Sequence, residues 1–290
     1  MPSSAAELVD LLDLETIDLN LFRGKQPHTK MQRVFGGQVA AQALVAAART
    51  APERMQVHSM HSYFLRPGDT AVPIVYDVER VRDGRSFATR RVLARQHGRP
   101  IYALTASFQV DEEGLEHQDA MPQVPSPEEA FDVSAAMRSA EDTERREEWL
   151  REWSALELRH AGDSRPGGAL ADGEHPAVVR YWIKVADRLP DQVLLHRAAL
   201  TYVSDMTLLG ATLVPHGLHP SSRGVQAASL DHTVWFHKPH RADEWLLYDQ
   251  TSPVAAGGRG LALGRLFTQD GRLVASVAQE GLIRPRPDLV

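Results

Sequence analysis

At 290 residues, with 43% hydrophobic and 24% charged residues, the chain is a globular protein long enough for one large core or two. A net charge of −6 argues against a general nucleic-acid binder, and the absence of cysteine excludes disulfides, thiolate nucleophiles and Cys-ligated metals. No apolar run is long enough to span a membrane, no basic-then-apolar leader is present, and the C-terminal Asp-Leu-Val is not a Ser-Lys-Leu type of address, so the expected compartment is the cytoplasm, without membrane insertion.

Residues 1–13 carry an apolar stripe of Ala5, Leu8, Val9, Leu11 and Leu12 and predict a short helix. Thr16 to Arg23 alternates, with Ile17, Leu19 and Leu21 on one face, and predicts a strand. Val34 to Ala48 is alanine-rich and unbroken after Gly36-Gly37, and is apolar nearly all round. It predicts a buried helix, which needs a sheet to wrap it. Strands are predicted at 57–66, 72–83, 85–97 and 99–110. Residues 112–175 change character: proline-rich and acidic over 122–129, dense in charge over 141–159, rich in Gly, Asp and Pro over 162–174. A solvated linker with a charged surface helix is expected over 116–175, dividing the chain into units 1–115 and 176–290. A regulatory tail is the alternative.

The second unit opens with a predicted strand over 178–185 and a helix over 191–210, where Ala198, Tyr202, Asp205 and Leu209 share a face. Asp205 therefore sits among apolar neighbours, where a carboxylate is costly unless paired or hydrogen-bonded. A bond to a nearby turn would satisfy it, so the helix pattern alone leaves its role open. Strands follow at 234–236, 245–248, 261–268 and 273–283, the last two joined by the turn signal Gln269-Asp270-Gly271. On the last strand Leu273, Ala275, Val277 and Gln279 share a face, so one polar amide ends an apolar row.

The two units repeat one pattern. His58-Ser-Met-His-Ser-Tyr-Phe-Leu-Arg-Pro67 matches Leu230-Asp-His-Thr-Val-Trp-Phe-His-Lys-Pro239, Gly84-Arg85 matches Gly258-Arg259, and Gly98-Arg99 matches Gly271-Arg272, at offsets of 172, 174 and 173. Near-constant offsets imply two copies of one β-rich unit. Other signals fail. His232 and His237 lie five apart on a strand and point to opposite faces, as do His58 and His61, so neither pair makes a metal site. Gly257-Gly-Arg-Gly lacks the ending of a phosphate loop and reads as a bend, and no Gly-x-Ser-x-Gly elbow for a covalent serine is present.

One helix enclosed by a bent antiparallel sheet is the hotdog arrangement, here occurring twice in an α+β chain. With Phe35-Gly-Gly-Gln-Val-Ala-Ala-Gln-Ala, Arg82-Asp-Gly-Arg-Ser-Phe-Ala-Thr-Arg, Tyr202-Val-Ser-Asp, Ser229-Leu-Asp-His-Thr-Val-Trp-Phe-His and Gln279-Glu-Gly, the sequence resembles the type II acyl-CoA thioesterases, which are double-hotdog proteins. The resemblance covers nearly the whole chain except 112–175. It implies hydrolysis of fatty acyl-CoA to free fatty acid and CoA, with no metal or organic cofactor. It also implies an active site in which Asp205, Ser229 and Gln279 hold the attacking water. Some members carry Thr where this chain has Ser229; the hydroxyl is kept. Taken singly, Ser229 reads as a strand-start hydroxyl and Gln279 as a satisfied core amide; joint membership in the motif raises them.

The chemistry suits these residue types. Asp205 can take a proton from water, and Ser229 and Gln279 can each donate and accept to fix its direction. Gly37, at the start of the buried helix, is a candidate backbone donor to the developing oxyanion. Asp231 is attractive but is read as orienting a neighbour. Two rivals stand beside this reading: an enoyl-CoA hydratase chemistry on the same fold, for which no Asp-x-Asn-Pro-x-His stretch is present, and a non-catalytic acyl-CoA binding protein. Aligning the repeats puts Val57 opposite Ser229 and Ala106 opposite Gln279, so the first copy is expected to be catalytically degenerate, and the fused pair to assemble into a homo-oligomer.

Overall fold

The computed structural model describes residues 1–286 apart from 140, 172, 174, 220, 221 and 223. The first series of elements is α1 (Ala5–Leu12), β1 (Glu15–Asp18), β2 (Leu21–Gly24), α2 (Gly36–Ala48), β3 (Met55–Phe64), β4 (Ile74–Asp83), β5 (Phe87–Gln96) and β6 (Arg99–Val110). After an extended stretch come β7 (Phe131–Asp132), α3 (Val133–Arg138), α4 (Thr143–Glu152), β8 (Leu156–Asp163), β9 (Val178–Val185) and α5 (Val193–Thr207). The last strands are β10 (Val225–Ser229), β11 (Asp231–Phe236), β12 (Leu246–Ala256), β13 (Arg259–Thr268) and β14 (Leu273–Pro285).

All strands join one antiparallel sheet in the order β1-β2-β4-β5-β6-β3-β11-β14-β13-β12-β9-β8-β7, with β10 also on β14. The order of the two halves mirrors about the β3–β11 pair, which is the seam between them (Tyr63 opposite Asp231, Met60 opposite Val234). Each half wraps its own helix. α2 is buried from Gly37 to Ala47, as an alanine-rich helix with no polar face must be. Its two buried amides have partners: Gln42 donates to the Leu11 carbonyl at 2.8 Å and accepts from Tyr76 Oη at 2.7 Å, and Gln38 Nε2 donates to Gln26 Oε1 at 2.9 Å. α2 and α5 approach closely: a Cβ on Gly37 would lie 2.3 Å from the Tyr202 carbonyl oxygen. The structure is a double hotdog.

The repeat extends to register. In the first half Met60 pairs with Ala106, and the pairing slips between Val57 and Ser59, so that Val57 faces Phe108. In the second, the β11–β14 register extended by one residue sets His232 opposite Gln279, and a slip at Leu230 sets Ser229 opposite Gly281. Both halves thus carry a bulge at the same place, and a bulge re-aims the side chain beside it.

Two expectations are corrected. Thr16 to Arg23 is not one strand but a hairpin, because Asn20 takes a left-handed φ of 61° and turns the chain, leaving Ile17 and Leu19 exposed. The segment 116–175 is not wholly linker. α4 is the expected charged helix, but Leu156–Asp163 forms β8, pairing with β9 and burying Leu156, Leu158 and Ala161. The charged partners Glu157 and Arg159 face outward, Glu157 pairing with Lys184 at 3.3 Å and Arg159 stacking over Trp245. In sequence that half-buried alternation was masked by its charges.

Candidate active site

Three elements of the second half converge with one helix start from the first. Asp205 stands near the C-terminal end of α5, Ser229 closes β10 and Gln279 lies within β14. Gln279 Nε2 donates to Asp205 Oδ1 at 2.6 Å, and Ser229 Oγ donates to the same oxygen at 3.1 Å. The Gly37 backbone N–H, in the first turn of α2, lies beside this carboxylate and favours its charged form. A Cβ on Gly36 would lie 2.5 Å from Asp205 Oδ2, so only glycine lets the helix start come this close.

The bulge explains how Ser229 reaches Asp205. Leu230 sits between β10 and β11, its N–H donating to the Glu280 carbonyl at 2.9 Å and its carbonyl accepting from the Phe64 N–H at 2.9 Å. Asp231 makes no hydrogen bond to Asp205 among the described residues. Its Oδ1 accepts from the Glu280 N–H at 2.6 Å, fixing the strand beside Gln279.

The electrostatics favour a base. Burial pushes the Asp205 carboxyl up to about 6, against the downward pull of the bonds from Gln279 and Ser229 and of the Gly37 N–H. Gln279 is fully buried, and its Oε1 has no partner among the described residues. A buried orphan acceptor costs about 1–3 kcal/mol, so its retention asks for an occupant that can donate. His232 is fully buried with Nε2 2.8 Å from the Oγ of Ser204, the residue before Asp205 in the chain. Burial pushes its pKa down to about 4, so it is neutral at physiological pH. His237 points elsewhere, to Ser276 Oγ at 2.8 Å.

A cavity of about 340 Å³ opens from Asp205 and Ser229 to solvent. Val34, Val39, Phe64, Ile101, Tyr102 and Leu282 give it apolar walls, and Arg33 and Arg66 stand exposed at its rim. Sequence reasoning found the polar cluster but missed these wall and rim residues. Tyr102 is an inward position of β6, and the register slip between Tyr102 and Pro100 buries its neighbour Ile101 as well, which a single strand does not show.

Family profiles match both halves: one described as the acyl-CoA thioesterase N-terminal domain over residues 25–109, the other as acyl-CoA thioesterase over residues 159–282. The chain is 41% identical to acyl-CoA thioesterase 2 of Haemophilus influenzae over 279 residues, 96% of each chain. The chain belongs to the acyl-CoA thioesterase family. It is also 40% identical to human acyl-coenzyme A thioesterase 8, over 96% of this chain and 89% of the relative. Among solved structures it superposes on the acyl-CoA thioesterase II TesB2 of Mycobacterium marinum with a TM-score of 0.81 at 44% identity, covering 97% of this chain and 99% of that one. The thioesterase is therefore an enzyme that hydrolyses acyl-CoA thioesters. No helix among its described residues is long and apolar enough to cross a membrane.

Proposed function

We propose that this thioesterase hydrolyses fatty acyl-CoA by direct attack of a water activated by Asp205, with one catalytic site per chain. The observation that carries this reading is the convergence of Gln279 Nε2 and Ser229 Oγ on one oxygen of a carboxylate raised to about 6. Three donors occupy or approach Asp205, so its remaining lone pairs and the free Oε1 of Gln279 can accept both protons of a water. The water oxygen adds to the thioester carbonyl carbon as its proton passes to Asp205. The carbonyl oxygen gains the negative charge, and the Gly37 N–H, released as Asp205 is neutralised, turns to it. Collapse breaks the carbon–sulfur bond, and Asp205 returns its proton to the leaving sulfur, giving free acid and CoA.

In the proposed division of labour, residues 1–115 form the degenerate unit and 176–290 the catalytic one, with Val57 and Ala106 unable to hold a water. Among the described residues no histidine bonds to Asp205, so nothing favours the hydratase reading. We further place the enzyme in the cytoplasm as a homo-oligomer. Tyr63 and Trp235, exposed on the outer face at the seam, support such an assembly. The test is release of CoA thiol from palmitoyl-CoA. Asp205→Asn is expected to lower kcat by roughly two orders of magnitude or more, as removal of a general base does. A variant keeping more than about a tenth of wild-type kcat rules out the base role.

A further inference from the structure

The substrate's CoA moiety presents a difficulty. CoA carries a diphosphate and a 3′-phosphate, about four negative charges at neutral pH, while the chain has a net charge of −6. A polyanion approaching such a protein is repelled unless local charge at the site's mouth reverses the field. The rim of the catalytic cavity supplies it. Arg33 and Arg66 both line the opening and both are exposed. Arg66 Nη1 donates to the Pro100 carbonyl at 2.7 Å, which anchors the side chain without neutralising it. Arg33 makes no hydrogen bond or ion pair among the described residues. The nearby acid Asp69 is occupied, accepting from the Ala71 N–H at 2.9 Å and facing His97 Nε2 at 3.1 Å. Two guanidiniums are thus left without a carboxylate, among the described residues, at a cavity that reaches Asp205.

Length agrees. The pantetheine arm is about as long as four extended residues, roughly 14 Å, so phosphates attached to a thioester at Asp205 emerge at the cavity's rim, within reach of long side chains. We propose that Arg33 and Arg66 form the phosphate-binding subsite for CoA, and that they make this enzyme select acyl-CoA over the same acyl group on a phosphate-free thiol. Guanidinium forks suit phosphate oxygens, which they engage in pairs. The inference rests on Asp205 marking the reacting end of the cavity.

The experiment compares one acyl group carried by CoA and by pantetheine, which lacks every phosphate, in steady-state kinetics. In Arg33→Gln/Arg66→Gln the ratio of kcat/KM for acyl-CoA over acyl-pantetheine is expected to fall at least about tenfold, through KM. Salt should weaken acyl-CoA turnover at low substrate in the wild type, and less so in the variant. A ratio equal to that of the wild type, or equal losses on both substrates, overturns the proposal. Arg33→Gln alone breaks no bond among the described residues, and decides the matter by the same ratio if the double variant fails to fold. An error about Asp205 reads differently, as full kcat in Asp205→Asn on both substrates.

Discussion

The two halves share a backbone down to a bulge yet differ at four inner positions. Val57, Met60, Ala106 and Phe108 in the first half stand where the second half has Ser229, His232, Gln279 and Gly281. The first set is buried and apolar, and it fills its space. The second carries an orphan amide oxygen and a buried neutral histidine, and hydrogen-bonds the raised carboxylate of Asp205 on α5. Where Phe108 fills the first half, Gly281 leaves room that Leu209 takes, since a Cβ there would lie 2.2 Å from Leu209 Cδ1. The comparison teaches that the hotdog backbone is indifferent to chemistry. A few side chains decide it, and the half that carries the reaction has the less comfortable core.

The sharpest way to break this comparison is to empty the second half. Ser229→Ala with Gln279→Ala should remove nearly all turnover, at least about a hundredfold in kcat, while Asp205 remains. Substantial activity in that variant would mean the first half is not degenerate. Next is the pH profile. Because Asp205 must be ionised to act, kcat/KM should be half-maximal near pH 6, fall about tenfold per unit below it, and be flat above. A half-maximum near 4 would show that burial does not govern this carboxyl.

The reverse graft is a smaller effect. Ala106→Gln puts an amide in a fully buried site with no carboxylate to meet it, and should destabilise the fold by about 1–3 kcal/mol without restoring turnover to Asp205→Asn. Chemical denaturation measures the first outcome and a thiol assay the second. Of the same size is the stability of Asp205→Asn itself. The folded-state pKa lies above the ordinary aspartate value of 3.8, so Asp205's favourable contribution is complete below pH 3.8 and lost as pH rises through about 6. The neutral variant should therefore be more stable than wild type by up to about 3 kcal/mol at pH 8, with the gain gone by pH 4. A variant less stable than wild type at pH 8 would show that the bonds to Asp205 outweigh its desolvation.

Much of this was legible in the sequence, for identifiable reasons. α2 was secure because alanine after a Gly-Gly start has few alternatives, and the repeat was visible because prolines and Gly-Arg turns hold their spacing. Gln279 stood out as an amide ending an apolar row and Asp205 as a carboxylate among apolar neighbours, though it was the resemblance that joined them to Ser229. The hairpin at Asn20 was hidden because alternation continues through a turn when the turn residue is polar. β8 was hidden because its outward face is as charged as the helix before it. The bulge at Leu230 leaves no mark on a single strand, since it exists only in the pairing with β14. For the same reason Asp231 could be suspected but not assigned to the Glu280 amide.

The continuous β3–β11 seam has a consequence for how such a protein can change. In a pair of identical separate chains, every substitution occurs twice, once on each side of the twofold axis. A glycine that admits a carboxylate at one helix start must then also sit at the other, and a polar core residue must be tolerated in both copies. Joining the copies in one chain removes that constraint. Gly36 and Gly37 can serve as the receiving surface while Asp205 is the group received, and neither position need do both. Substitutions at inner positions of 1–115 away from the cavity, such as Val57 and Ala106, can then be selected for stability, and those beside Asp205 for turnover.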